Sequence, residues 1–279
     1  MNAINVARDV LKEAFSSKFI IGLFVIIALF LLGLIFSLDL DVVDGALAGG
    51  RLFGKSARGD GAAVPVEAVL RPAFQALAWV TFYGGLLFGI VATADIAPRL
   101  LQPGRVEALL ALPVRRAELV VGIYLGVAAI CALGTSVAVG GVALVLFFKA
   151  EMVTVAPVAG AAMAMVGFCA IYAVMLAVGT VFRSAALSAG SGMGIYFLGI
   201  AISEKQTMLM WTSNKLVRTI LDVVTTPVPN FRALADVGAT VAAGEPIAFA
   251  ATLPLIGGAL AFAAFGVVIA CVVVQSRDY

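Results

Sequence analysis

Residues 103–126 read PGRVEALLALPVRRAELVVGIYLG, a short, charged, helix-forming stretch held between two segments far too apolar for water. Gly104 opens a turn, and residues 105–112 are good helix formers without a breaker. Pro113 disfavours helical geometry at Leu112 and ends the run. A second helix starts near Val114. Its first turn carries Arg115, Arg116 and Glu118, and from Leu119 onward it is uninterruptedly apolar. The pattern is an amphipathic elbow just outside a membrane, its charges turned toward whatever occupies that side.

The rest of the chain agrees with a lipid solvent. Of 279 residues, 63% are hydrophobic and 12% charged, about half the charge share of a soluble domain, and mean hydropathy is +1.13. A net charge of +2 gives no reason to expect nucleic acid as a partner. Histidine is absent, and Cys131, Cys169 and Cys271 stand alone in apolar runs, so a zinc site, haem attachment or disulfide framework is not expected.

Residues 1–18 form an amphipathic interfacial helix, with Ile4, Ala7, Leu11, Ala14 and Phe15 on one side and Asn5, Arg8, Asp9, Lys12, Glu13 and Ser16 on the other. The apolar run that follows is too long for a signal-peptide core and has no small-residue cleavage site after it. Hydropathy places membrane spans at 19–38, 74–97, 119–148, 153–182, 185–202 and 247–274, with external loops at 39–71 and 203–246. The fold expected is a single all-α transmembrane domain, 1–279, with six transmembrane helices. Inside the first loop, GGRLFGKS at 49–56 matches the phosphate-cradling P-loop pattern letter for letter. ARGDGAAVP follows it and cannot start the helix that pattern requires, so the match is read as chance. In the second loop, Leu216, Val217, Ile220, Leu221 and Val224 share one helical face, and PVPNF at 227–231 breaks that helix.

Six spans put both termini on one side. With the termini inside, Arg8, Lys12, Lys18, Arg99, Arg105, Arg115, Arg116, Arg183 and Arg277 lie in short inner segments close to the spans. As many basic residues lie outside, but most are diluted in the two long loops, which weigh less. The middle of every span is free of charge, so nothing there titrates or coordinates a driving ion. HExxH, paired intramembrane aspartates and a Ser with a His are absent too, and the chain reads as non-catalytic. Any driving force must come from elsewhere.

The amphipathic N-terminal helix, six spans and charged turn between spans two and three resemble the permease subunits of type 2 ABC exporters. In that family the turn reads approximately G-[ST]-x-[ED]-x-L-L-x-x-P-[VI]-x-R-x-x-[LIV]-x-x-[GK]. Gly104, Glu107, Leu109, Leu110, Pro113, Val114, Arg116 and Gly122 stand at matching positions, while Arg105 replaces a small hydroxyl residue and Ile123 a common Lys or Arg. ADIAPR at 94–99, PNF at 229–231 and the closing Arg277-Asp278-Tyr279 are similar to the branch that includes nitrous-oxide-reductase maturation (copper-processing) and multidrug-type permeases.

The resemblance implies a cytoplasmic coupling helix in the 104–118 turn, with Gly104, Arg105, Glu107, Leu110, Pro113, Arg115, Arg116 and Glu118 as the ATPase-coupling residues. It implies two copies of a cytoplasmic ABC ATPase subunit that binds ATP and Mg, no cofactor or metal in this chain, and a second permease copy completing the pathway. A periplasmic accessory protein is a further expected partner, and the location implied is the bacterial cytoplasmic (inner) membrane with both termini cytoplasmic. The alternative is a membrane anchor that transmits force within an ATPase-powered envelope machine and moves no substrate. The substrate itself is not legible.

Overall fold

The computed structural model describes residues 3–16, 18–43, 46–52, 55–56, 66–102, 115–150, 156–204, 216 and 227–276. Helix α1 (Ala3–Ser16) precedes α2 (Lys18–Ser37), and an antiparallel meander follows, β1 (Leu38–Val43), β2 (Ala46–Leu52) and β3 (Lys55–Ser56). Then come α3 (Val66–Thr93), the short α4 (Ile96–Leu100), α5 (Arg116–Ala150), α6 (Ala156–Phe182) and α7 (Ala185–Ala201). Helices α8 (Phe231–Ala242) and α9 (Phe249–Gln275) complete the bundle.

Among the described residues, four helical segments are long and apolar enough to cross a membrane: Phe74–Leu100, Arg116–Lys149, Pro157–Phe182 and Phe249–Gln275. The bundle they form is all-α, as expected. In hydrocarbon every backbone N–H and C=O must bond within the segment, which only a helix or a closed barrel allows. Large apolar side chains such as Phe148, Phe182, Leu253 and Phe265 stand exposed on the outer faces, the signature of a protein whose surface solvent is lipid. Helix α2 has 20 residues, and α7 only 17. At about 1.5 Å per residue α7 covers roughly 25 Å, short of a hydrocarbon core of about 30 Å.

Two stretches expected as loops carry structure. Within 39–71 the meander pairs Leu38 with Leu52 and Arg51 with Ser56. It also disposes of the P-loop letters, because Gly49–Leu52 lie on β2 and Lys55-Ser56 on β3, which turns back along β2 where a phosphate cradle needs a helix. Within 203–246 lies α8, capped by the Asn230 side chain, which accepts from the Ala233 N–H at 3.0 Å. The amphipathic helix expected over 216–224 falls outside the described residues except Leu216.

Helix α6 is the axis of the bundle, packed by α9, α3, α8, α7 and α5. Its glycines set those contacts: a Cβ on Gly160 would meet the Ala78 backbone at 3.0 Å, and one on Gly179 would meet Pro98 at 3.4 Å. The helices alternate in direction. The end of α3 with α4, the start of α5, the Arg183-Ser184 turn between α6 and α7, and the end of α9 therefore share one end of the bundle. At that turn Arg183 takes φ 51°, the left-handed conformation that commonly closes a helix, and the Ser184 hydroxyl accepts from the Leu187 N–H to start α7.

Helix α1 lies along the beginning of α5. Its buried residues are Val6 and Val10, whereas Ile4, on the apolar side expected to face the membrane interface, is 73% exposed. The cause is a small-residue groove on α5. Gly122 and Gly126 let α1 approach so closely that a Cβ on Gly122 would lie 2.5 Å from the Val6 Cβ and 2.8 Å from the Ala3 carbonyl oxygen. Because backbone is among the atoms met, Gly122→Val should displace α1 at a cost of about 1–3 kcal/mol. Faster proteolysis within residues 3–16 of the purified variant checks this, and unchanged cleavage would refute the groove.

Helix α8 buries Phe231, Leu234, Ala235, Gly238, Ala239 and Ala242 on one face. Phe231 is wedged against Gly199 and Gly167. Asp236 titrates above the usual carboxylate range because packing removes part of its hydration, with Arg232 pulling the other way. The folded chain then holds more protons than the unfolded one just above the unfolded value of about 3.9. This group therefore favours folding most at low pH, and that contribution is lost as pH rises through its folded value. Asp236→Asn should flatten this part of the profile, read as Tm against pH across the acidic range.

Candidate functional site: the charged end of the bundle

Three of the residues expected to form the coupling turn are described, and they stand together at the start of α5. Arg115 is exposed, with Arg116 and Glu118 half-buried. Gly104, Arg105, Glu107, Leu110 and Pro113 lie outside the described residues.

The local chemistry assigns different work to the charges. Glu118 is the third residue of α5, and its carboxylate accepts from the Arg115 N–H at 3.3 Å. That is half of a capping box, satisfying a donor that the helix leaves open and placing negative charge at the positive end of the dipole. Arg116 sits unfavourably for its own helix but well for another. Its guanidinium donates to the Gln275 carbonyl at 3.3 Å, at the end of α9, where free carbonyls and the negative dipole end favour a cation. The Cys271 thiol reaches the Ala117 carbonyl at 3.9 Å. The first turn of α5 is thus tied to the last turns of α9, while α1 lies against the next turns through Gly122.

Nearby, Asp95 and Arg99 form an i,i+4 ion pair at 2.5 Å, both about half exposed. Asp95 was expected at the interface, and it occupies the turn between α3 and α4. The pair stands at one end of an apolar cavity of about 670 Å³ bounded by α3, α5 and α6, with Val10 of α1 and Ile27 of α2 at its edge. Phe168, which lines the cavity, belongs to an aromatic stack that runs back into the bundle. Tyr172 lies parallel to Phe168 (5.7 Å) and to Tyr124 (6.0 Å), and the Tyr124 hydroxyl donates to the Cys169 carbonyl at 3.0 Å.

The cavity was not anticipated from sequence. Its signal was the glycine cluster Gly84, Gly85 and Gly89, whose roles differ. A Cβ on Gly89 would strike Phe168 at 2.7 Å, a close helix contact, whereas one on Gly84 would meet nothing within 4 Å. Among the described residues no cluster of ligating side chains could hold a metal, and the three cysteines are free.

No protein-family model matches the chain. No curated protein matches it either. Fold and surface define its class, a multi-pass α-helical membrane protein.

If Glu118 acts as the cap, Glu118→Ala should fray the first turn of α5 at a cost of about 1 kcal/mol, and Glu118→Gln, which keeps an acceptor, should cost much less. Hydrogen exchange at the amides of residues 115–119 measures this. Equal protection in the two variants would remove the capping role.

Proposed function

We propose that this chain is the permease subunit of an ATP-driven exporter of the type 2 ABC class, itself non-catalytic and moved by a separate cytoplasmic ATPase. The observation that carries the reading is the joining of three elements at one end of an otherwise apolar bundle. The amphipathic α1, the basic first turn of α5 and the end of α9 are linked there by Val6 on Gly122 and Arg116 on Gln275. A displacement applied to that turn reaches two spanning helices and the interfacial helix directly. No charge lies in mid-span to supply energy instead.

In this reading α2 and α7 are the first and fifth of six spans, the charged end faces the cytoplasm, and both termini lie there, in a bacterial inner membrane. The 104–118 turn seats in the ATPase. Two ATPase copies bind ATP and Mg, and two permease copies form the pathway between them. The alternative, a force-transmitting anchor, uses the same turn without a substrate path.

The test is purification of the tagged chain from native membranes. An ATP-hydrolysing subunit is expected to accompany it, with hydrolysis reduced roughly tenfold, equivalent to ~1.4 kcal/mol of coupling, in Arg116→Glu or Glu107→Ala. Unchanged Tm and membrane insertion of both variants separate coupling from folding. No accompanying ATPase, or wild-type hydrolysis in both folded variants, would overturn the proposal. Stimulation by a transported compound in liposomes separates export from anchoring.

A further inference from the structure

The cavity between α3, α5 and α6 has a shape, a lining and a charge arrangement that together specify an occupant. Its floor is made of residues too small to fill it, chiefly Gly84 and Gly85 on α3 and Gly134 and Ala138 on α5. Its volume of about 670 Å³ falls within the ~300–1,000 Å³ of small-ligand sites. It follows α3 from Val80 to Thr93, a rise of about 20 Å, comparable with the roughly 15 Å of hydrocarbon in one leaflet. Among the described residues one side of it is uncovered: α2 packs along α5 rather than α3, and Val80 and Val91, both lining the cavity, remain more than half exposed.

The charged groups are confined to one end, while Thr81 and Thr135 add neutral hydroxyls elsewhere in the lining. Asp95 and Arg99 present a carboxylate and a guanidinium side by side at the level of the charged end of the bundle. Neither exhausts its bonding capacity in the pair, because a carboxylate offers about four lone-pair sites and a guanidinium five N–H donors. A free anion or a free cation would meet one partner and one like charge. A ligand carrying both signs a few bonds apart would meet two partners.

We propose that this cavity takes one acyl chain of a zwitterionic phospholipid from the adjoining leaflet, with the headgroup ammonium on Asp95 and its phosphate on Arg99. The chain lies along Gly84 and Phe88 on one side and Gly134 and Ala138 on the other. The inference rests on the bilayer placement of these helices, not on the transport reading, and the two are tested by different measurements.

The experiment reconstitutes the full chain in vesicles of phosphatidylethanolamine and phosphatidylglycerol. Each vesicle set contains a trace of phosphatidylethanolamine or of phosphatidylglycerol with a photoreactive group in the acyl chain, and adducts are mapped by mass spectrometry. The phosphatidylethanolamine probe should label peptides covering 84–93 and 134–142 above the lipid-facing surface around Phe265, and the phosphatidylglycerol probe should not. Gly84→Phe, which has open space for its side chain, should lower cavity labelling roughly tenfold, equal to ~1.4 kcal/mol, at unchanged Tm. Ala138→Phe reports the same from the opposite wall.

Asp95→Asn leaves Arg99 without its carboxylate and should shift labelling toward phosphatidylglycerol, a change in headgroup preference that a merely structural ion pair would not produce. Labelling spread evenly over the outer faces, equal labelling by both probes, or full labelling in Gly84→Phe would overturn the proposal. So would cross-links showing a second copy of the chain seated in the cavity.

Discussion

Within a bilayer, lipid tails are as apolar as leucine, so burying an apolar side chain between two helices gains little over leaving it in lipid. Helix association then depends on how closely backbones approach and how many atoms touch. In this chain that constraint is met through α6, whose small residues admit a neighbour on nearly every side. Gly160 receives Ala78, Gly179 receives Pro98, Gly167 faces Leu86 and Phe231, and Ala173 receives Gly266 of α9. A side chain in place of the hydrogen at Gly160 would press on α3 and one at Gly266 would press on α6, whereas Gly167 and Gly179 meet their neighbours at ordinary contact distance.

The same device attaches α1. Gly122 and Gly126 stand one turn apart on α5, and Val6 and Val10 stand one turn apart on α1, so two rows of matching spacing interlock. This brings an amphipathic helix onto the opening turns of a spanning helix whose first residues are charged. Arg116 and Cys271 then connect those turns to the end of α9. The charged end is a joined platform, while the interior of the bundle contains mainly aromatic and aliphatic packing. Where the small residues meet no neighbour, as at Gly84, the bundle is left open and the cavity results. One residue type thus produces both close contacts and open space, depending on what stands opposite.

Much of this could be read along the chain. Runs of apolar residues longer than a bilayer is thick leave little choice of conformation, so α5, α6 and α9 lie where hydropathy places them, within a few residues at each end. Asp95 falls just past the end of α3, where Pro98 and Arg99 follow it in sequence, whereas the capping role of Glu118 came only from the structure. Helix α8 was missed. Its start is marked by Asn230, and its buried positions recur at helical spacing, but polar residues and prolines around it resemble a loop, and only the packing of Phe231 against Gly199 supplies the reason for it to fold.

By itself the sequence determined that the chain lives in lipid, that its spans are helices and that its charges gather at span ends, because hydration and backbone hydrogen bonding are local costs fixed by residue type. It did not determine which glycine is a contact and which an opening. It also left undecided whether Ile4 or Val6 faces the protein, and that Arg116 would serve the end of α9 rather than its own helix. Those outcomes depend on atoms far away in the chain, and only the tertiary structure brings them within reach.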